Sequence, residues 1–281
     1  MSAFAFAGPA LLFCPADRPD RYGKAAERAD VVIIDLEDAV APASKLRARQ
    51  MLLDSLGDLD PARTIVRVNA PGSAWWSDDL AALASTRLSL VMVPKVSSAA
   101  QLEALGRFQA IPICESAAGV LAAGEIAAAP NCVAILWGGE DLIADLGGRA
   151  SRRADGSYHH VVQQARSTVL LAAAAAQRIA IDAVYLRIDD LAGLAAEAGE
   201  AAELGFRAKA CIHPAQVETV RAAFAPAAEE VAWAQGLLAA AASTTAGVFT
   251  YEGRMVDAPL LAHAETILAA ARARPTTPVV P

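Results

Sequence analysis

Histidine is scarce in this chain, four in 281 residues, and no His/Cys set has the spacing of a zinc site. His159 and His160 are neighbours in a polar stretch, while His213 and His263 stand alone. Cysteine is equally thin: Cys14, Cys114, Cys132 and Cys211 form no C-x-x-C pair. Three of the four fall inside apolar, strand-like runs, so they read as reduced core thiols and not as a disulfide framework. No sustained basic stripe exists and the formal net charge is −7, which argues against nucleic acid as a partner. Long apolar runs are missing too. The N-terminal MSAFAFAGPALLF lacks a basic start and is short, so it reads as neither a signal peptide nor a membrane span. These absences predict a cytoplasmic protein with no membrane partner.

What is present is a chain with 55% hydrophobic and 20% charged residues, ample for one large buried core. Eight short β-type runs recur: LLFCPA (11–16), VVIIDLE (31–37), TIVRVNA (64–70), LVMVPKV (90–96), AIPICES (110–116), VAILWGG (133–139), DAVYLR (182–187) and AKACIHP (208–214). Between them lie Ala/Leu-rich segments of helical character, such as 19–29, 43–56, 99–108, 117–129, 161–178 and 191–205. Strands alternating with helices imply βαβ units and a parallel sheet. Eight units in roughly 210 residues fit an α/β fold of the (β/α)8 TIM-barrel type, which typically needs about 250. The competing open, doubly wound sheet would carry a Gly-rich loop after its first strand, where this chain reads CPADRPDR.

The expected division is a catalytic barrel over 1–220, a C-terminal helical extension over 221–275 and a disordered tail over 276–281. Two segments escape the alternation. GGRASRRADGSYHH (147–160) reads as a long loop over one face of the barrel, its three arginines either solvated or functional. TTAGVFTYEGRMVDAP (244–259) interrupts the helices of the extension.

Polar residues collect at the C-terminal ends of the strands: Asp17 and Arg18 after the first, Asp35, Glu37 and Asp38 after the second, Arg67 and Asn69 on the third, Lys95 on the fourth. Glu115 ends the fifth, Glu140 and Asp141 follow the sixth, and His213 ends the eighth. In a closed barrel these ends converge on the face that carries active sites. One polar residue only marks where a strand stops; seven strands of eight ending alike points to an enzyme. Glu115 and Asp141, from adjacent strand ends, can place two oxygen ligands on one small ion and leave its other positions to water and substrate, the habit of Mg2+. The strand VVIIDLEDAV then ends in acids because Glu37 and Asp38 would wall that metal site and accept hydrogen bonds from metal-bound waters and from Arg67. Arg67 is either the anchor of a substrate carboxylate, an ion-pair partner of Glu37 or Asp38, or both. Gly138 and Gly139 place bare backbone N–H groups where a substrate oxygen could approach. His213 reads equally as a structural residue before Pro214 and as a catalytic one.

Taken in order, LFCPADRPDRYGKA, VVIIDLEDAVAP, VRVNAPG, VMVPKVSSAAQL, ICESAAG, LWGGEDLIADLGG, CIHPAQ and EGRMVDAP resemble the citrate lyase β-chain/malyl-CoA lyase group of CoA-ester lyases. The likeness covers about residues 11–270 and is strongest to the stand-alone, actinobacterial-type citrate lyase β-like proteins. It implies a Mg2+-dependent barrel, commonly a homotrimer, that cleaves a 3-hydroxyacyl-CoA thioester to an acyl-CoA and a 2-oxo acid. Carried over by position, Glu115 and Asp141 match the metal ligands, Arg67 the residue holding the oxo-acid end, and Glu37 and Asp38 the acids behind the metal. Asp257 matches an acid/base supplied by the tail of a neighbouring subunit. Arg18, Arg21 and Lys24 fall where the family approaches the phosphates of coenzyme A. The acyl substrate stays open among malyl-, citramalyl-, citryl- and hydroxymethylglutaryl-CoA types. A malyl-CoA-type thioesterase, an aldolase on free 2-oxo acids and a non-catalytic binding protein are the alternatives.

Overall fold

Short runs of β-branched and aliphatic residues form the eight strands β1 (Ala10–Pro15), β2 (Val31–Asp35), β3 (Thr64–Arg67), β4 (Leu90–Val93), β5 (Gln109–Cys114), β6 (Ala134–Trp137), β7 (Ile179–Asp182) and β8 (Ala208–Cys211). In the computed structural model, which describes residues 5–244 and 247–272, all eight pair in parallel, each with the next, and β8 closes on β1 through Leu11 opposite Ala210. Alternate residues point inward. Leu11, Val31, Ile33, Ile65, Met92 and Ile111 belong to the cluster that fills the barrel. The helices around it are α1 (Tyr22–Arg28), α2 (Lys45–Asp54), α3 (Trp76–Ala84), α4 (Ala100–Glu103), α5 (Ala117–Leu121), α6 (Ala123–Ala128), α7 (Gly139–Asp145), α8 (His160–Ala175), α9 (Leu191–Leu204) and α10 (Gln216–Ala223). The expected TIM barrel is the fold.

The seventh strand differs from its expected position. It is Ile179–Asp182, not 182–187. Asp182, with a fully buried side chain, ends it and receives hydrogen bonds from the Trp137 indole (2.9 Å), Arg166 Nε (3.0 Å) and Lys209 Nζ (2.7 Å). Beyond it the apolar VYL stretch leaves the sheet, with the Tyr185 carbonyl accepting from Gln216 Nε2. Several strands stop before their polar ends. Glu115 lies one residue past β5, and Gly139 already starts α7 where strand was expected through residue 139. The helix expected over 99–108 shrinks to α4, while α3 forms where no helix was expected.

The chain divides into two compact units, the first running to Arg221 and the second starting at Ala222. The second contains α11 (Ala228–Ala242), a hairpin of β9 (Phe249–Tyr251) and β10 (Arg254–Val256), and α12 (Ala258–Arg272). Glu252 and Gly253 both take positive φ, 47° and 77°, which matches the two-residue turn that favours hairpins. Val256 packs with Ala234 and Leu237 of α11 and Ala264 and Ile267 of α12. The tail expected to be disordered, 276–281, lies outside the described residues. No helix among the described residues is long and apolar enough to cross a membrane.

Candidate active site

The acids at the end of β2 divide between two tasks. Asp35, 1% exposed, accepts both arms of the Arg67 fork, Nε at 2.7 Å and Nη2 at 2.6 Å. It also accepts the amides of Glu37 (2.9 Å) and Ala39 (3.1 Å), so one carboxylate shapes the turn after the strand. That turn is pinned from below by Lys45, whose buried ammonium donates to the carbonyls of Leu36 (2.8 Å) and Glu37 (2.7 Å). The ion pair expected between Arg67 and Glu37 or Asp38 therefore exists with Glu37, at 3.0 Å from Nη1, but the bidentate partner is Asp35. Arg67 also lies over the Phe13 ring, 4.8 Å from its centroid. Register explains the pairing: Asp35 sits opposite Arg67 across the β2–β3 ladder.

Glu37 is buried, and burial pushes its carboxyl above the usual carboxylate range. Its Oε1 accepts Lys95 Nζ at 2.6 Å. Its Oε2, though close to Arg67, is out of line for a hydrogen bond and has no hydrogen-bond partner. Lys95 Nζ also lies 3.7 Å from Asp38 and 3.8 Å from Asp141. The backbone of Lys95 is left-handed, φ 55°, an uncommon conformation for a residue with a side chain. In that conformation its amide donates to Glu115 Oε1 at 2.8 Å.

Glu115 is 5% exposed, and its carboxyl is pushed up to about 8, first by burial and then by the nearby charges of Asp141 and Glu37. Gly138 makes its place: a Cβ there would stand 2.8 Å from Glu115 Oε2 and 2.9 Å from its Cβ. Gly139 is constrained from the other side, since a Cβ would meet the Trp137 ring and Val162, both at 3.2 Å. Asp141, in the first turn of α7, is 41% exposed. The structure thus brings Glu37, Asp38, Glu115 and Asp141 together around Lys95, with Arg67 joined through Glu37.

Among the described residues, no group of three or more His, Cys, Asp or Glu side chains could hold an ion alone. Two hard carboxylates, one of them buried, charge-crowded and set against a glycine cradle, suit a cation that keeps most of its shell for water and substrate. Mg2+ fits that description.

Arg18, Arg21, Lys24 and His213 are not part of this ring. Arg18 forks onto Asp20, both contacts 3.0 Å, and Arg21 and Lys24 are exposed on the turn and helix after β1. Asp257 belongs to the second unit, where its Oδ1 accepts the Leu260 amide at 3.3 Å at the start of α12. His213 is exposed and its Nδ1 accepts the Ala215 amide at 3.2 Å, which suits its structural reading. Of the loop arginines, Arg152 is not solvated: it lies over the Tyr158 ring and pairs with Glu197 at 2.7 Å. A cavity of about 340 Å3 opens beside this loop, lined by Glu140, Arg149, Ser151, Arg152, Tyr185 and Arg187. Lys45 and the Asp35–Arg67 fork were not anticipated. Cross-strand register is the one sequence signal that could have pointed to the fork.

The HpcH/HpaI aldolase/citrate lyase family model matches residues 10–214. The chain is 54% identical over 262 residues to a citrate lyase subunit beta-like protein of Mycobacterium tuberculosis, covering 93% of this chain and 95% of that one. It is 36% identical to a (3S)-malyl-CoA thioesterase of Cereibacter sphaeroides, covering 94% of each. To the human mitochondrial citramalyl-CoA lyase it is 31% identical, covering 91% of this chain and 83% of that protein. Among solved structures, protein CitE from Mycobacterium tuberculosis in complex with magnesium, acetoacetate and coenzyme A superposes with a TM-score of 0.90 at 54% identity, covering 94% of this chain and 98% of that one. The chain belongs to the HpcH/HpaI aldolase/citrate lyase family.

Proposed function

We propose that this protein is a Mg2+-dependent carbon–carbon lyase that cleaves a 3-hydroxyacyl-CoA thioester to an acyl-CoA and a 2-oxo acid. The observation that carries the reading is the pairing of buried Glu115, in its Gly138 cradle, with Asp141 from the adjacent strand end. The relative in complex with magnesium, acetoacetate and coenzyme A and the human relative named citramalyl-CoA lyase support it.

Glu115 and Asp141 would hold the ion. When bound, Mg2+ supplies a Lewis acid that lowers the pKa of the substrate hydroxyl and polarises the carbonyl that forms from it. Arg67 orients the carboxylate of the oxo-acid end. Asp35 takes Nε and one Nη2 hydrogen, which leaves the Nη1 donors and the second Nη2 hydrogen for that carboxylate. The Gly138 amide donates to the Cys114 carbonyl at 3.3 Å, so of the two expected glycine donors the Gly139 amide, at the start of α7, is the one left to approach a substrate oxygen. Loss of the hydroxyl proton lets its oxygen form the carbonyl as the Cα–Cβ bond breaks, and the bonding pair passes to the α-carbon of the acyl thioester. Asp257 of a neighbouring subunit delivers the proton that this carbon takes up, and removes it in the condensing direction. Arg18, Arg21 and Lys24 meet the phosphates of coenzyme A.

The Cereibacter sphaeroides relative, named a thioesterase, motivates a second reading in which the thioester itself is hydrolysed. The two readings part on products. Malyl-, citramalyl-, citryl- and hydroxymethylglutaryl-CoA are each incubated with the protein and Mg2+, and acyl-CoA, free CoA thiol and oxo acid are resolved by mass. Acyl-CoA with its matching oxo acid is the expected result and ranks the substrates; free thiol without acyl-CoA moves the assignment to the thioesterase.

A further inference from the structure

Four carboxylates, those of Glu37, Asp38, Glu115 and Asp141, gather at the barrel mouth. The positive charge of Arg67 is largely committed to Asp35, which is buried beneath them. Lys45, nearby, gives its hydrogen bonds to the Leu36 and Glu37 carbonyls, so among the described residues Lys95 is the lysine whose ammonium reaches the carboxylate oxygens of the ring. Lys95 Nζ is 2.6 Å from Glu37, 3.7 Å from Asp38 and 3.8 Å from Asp141, so it bridges the ends of β2 and β6. The same residue reaches Glu115 with its left-handed backbone amide. It thus touches both carboxylates of the proposed metal pair, one through a fixed N–H and one through a charge on a flexible stem. That stem is 42% exposed, so the ammonium can swing outward while the amide stays.

We propose that Lys95 is a tethered cation that neutralises the acid ring in the metal-free protein and competes with the divalent ion for it, while its backbone positions Glu115. The inference rests on the metal site proposed above. A lysine charge about 4 Å from a carboxylate favours the empty ring and repels an incoming dication, by an amount worth about fivefold in affinity even at solvent-like screening. Removing the charge but keeping the amide should therefore tighten Mg2+ binding, the opposite of what loss of a merely structural residue does.

The test is calorimetric titration of MgCl2 into the full-length wild type, Lys95→Met, Lys95→Gln, Lys95→Arg and Glu115→Gln. Both neutral variants are expected to bind Mg2+ about fivefold or more tightly than wild type, and Lys95→Arg about as wild type. The gap should narrow at high ionic strength, where the repulsion is screened. The metal-free neutral variants should melt lower than wild type and gain more from added Mg2+. Unchanged or weaker binding in both neutral variants, with wild type and Glu115→Gln well separated, overturns the competition alone. Equal or absent binding in wild type and Glu115→Gln instead overturns the metal site, and this inference with it.

Discussion

Glu115 must carry charge where burial and two neighbouring carboxylates oppose it, and that conflict is measurable. Its carboxyl is raised to about 8 from an ordinary 4.5, so between those values the metal-free folded protein holds a proton that the unfolded chain has released. The stability this group contributes is complete below about pH 4.5 and is lost as pH rises through about 8. Urea midpoints of wild type relative to Glu115→Gln, measured in EDTA, should fall across that window and level off above it; parallel curves would contradict the raised carboxyl. Gly138→Ala probes the same side chain by sterics, since the added methyl would overlap Glu115 Oε2. Mg2+ affinity should drop by about 10-fold or more with the fold retained, as when the support of a metal ligand is disturbed, and unchanged affinity would remove Glu115 from the site. Glu115 and Asp141 were legible as a pair because each follows a short apolar run. The Lys45 anchor under the 36–37 turn was not, because nothing in its helical segment distinguishes it from a surface lysine.

At the scale of elements, the polar network behind β7 and β8 ties the sheet to α8 and α9. Lys209, with no exposed surface, bonds Asp182 (2.7 Å), the Ala183 carbonyl (2.7 Å) and Glu197 (3.0 Å), and Arg166 of α8 also reaches Asp182. Lys209→Met leaves Asp182 buried with one cation fewer and should cost about 3–5 kcal/mol in urea unfolding, the usual loss when one partner of a buried pair is removed. A loss under about 1 kcal/mol would mean that Arg166 and Trp137 satisfy Asp182 alone. This network also explains the misplaced seventh strand. The expected helix ends at Arg178 and the expected strand starts at Asp182, passing over 179–181, because a buried aspartate reads locally as a terminus and its partners come from distant segments. The β9–β10 hairpin was missed for a different reason: its strands are three residues each, too short for alternation to show, and only the Glu252–Gly253 turn marks them.

For the whole molecule, eight βα alternations made the barrel readable, since the strand ends carry the polar residues whichever side chains pair there. The role proposed for Asp257 was readable only through family resemblance, because the aspartate starts a helix in a unit beyond the last barrel strand. Asp257→Asn keeps the helix cap, as asparagine caps about as well as aspartate, and should lower kcat by about 10²–10⁴-fold with Mg2+ binding unchanged. If the acid crosses a subunit boundary, co-expressed Glu115→Gln and Asp257→Asn chains should regain activity on the order of a quarter of wild type, from sites where each chain supplies its intact residue. No recovery would place Asp257 in its own subunit's site. The most direct test of the account is the rate at which a 3-hydroxyacyl-CoA thioester yields acyl-CoA and 2-oxo acid as free Mg2+ is titrated against EDTA. Equimolar products, abolished in EDTA and restored by Mg2+, are the predicted result; cleavage that persists in EDTA would contradict it.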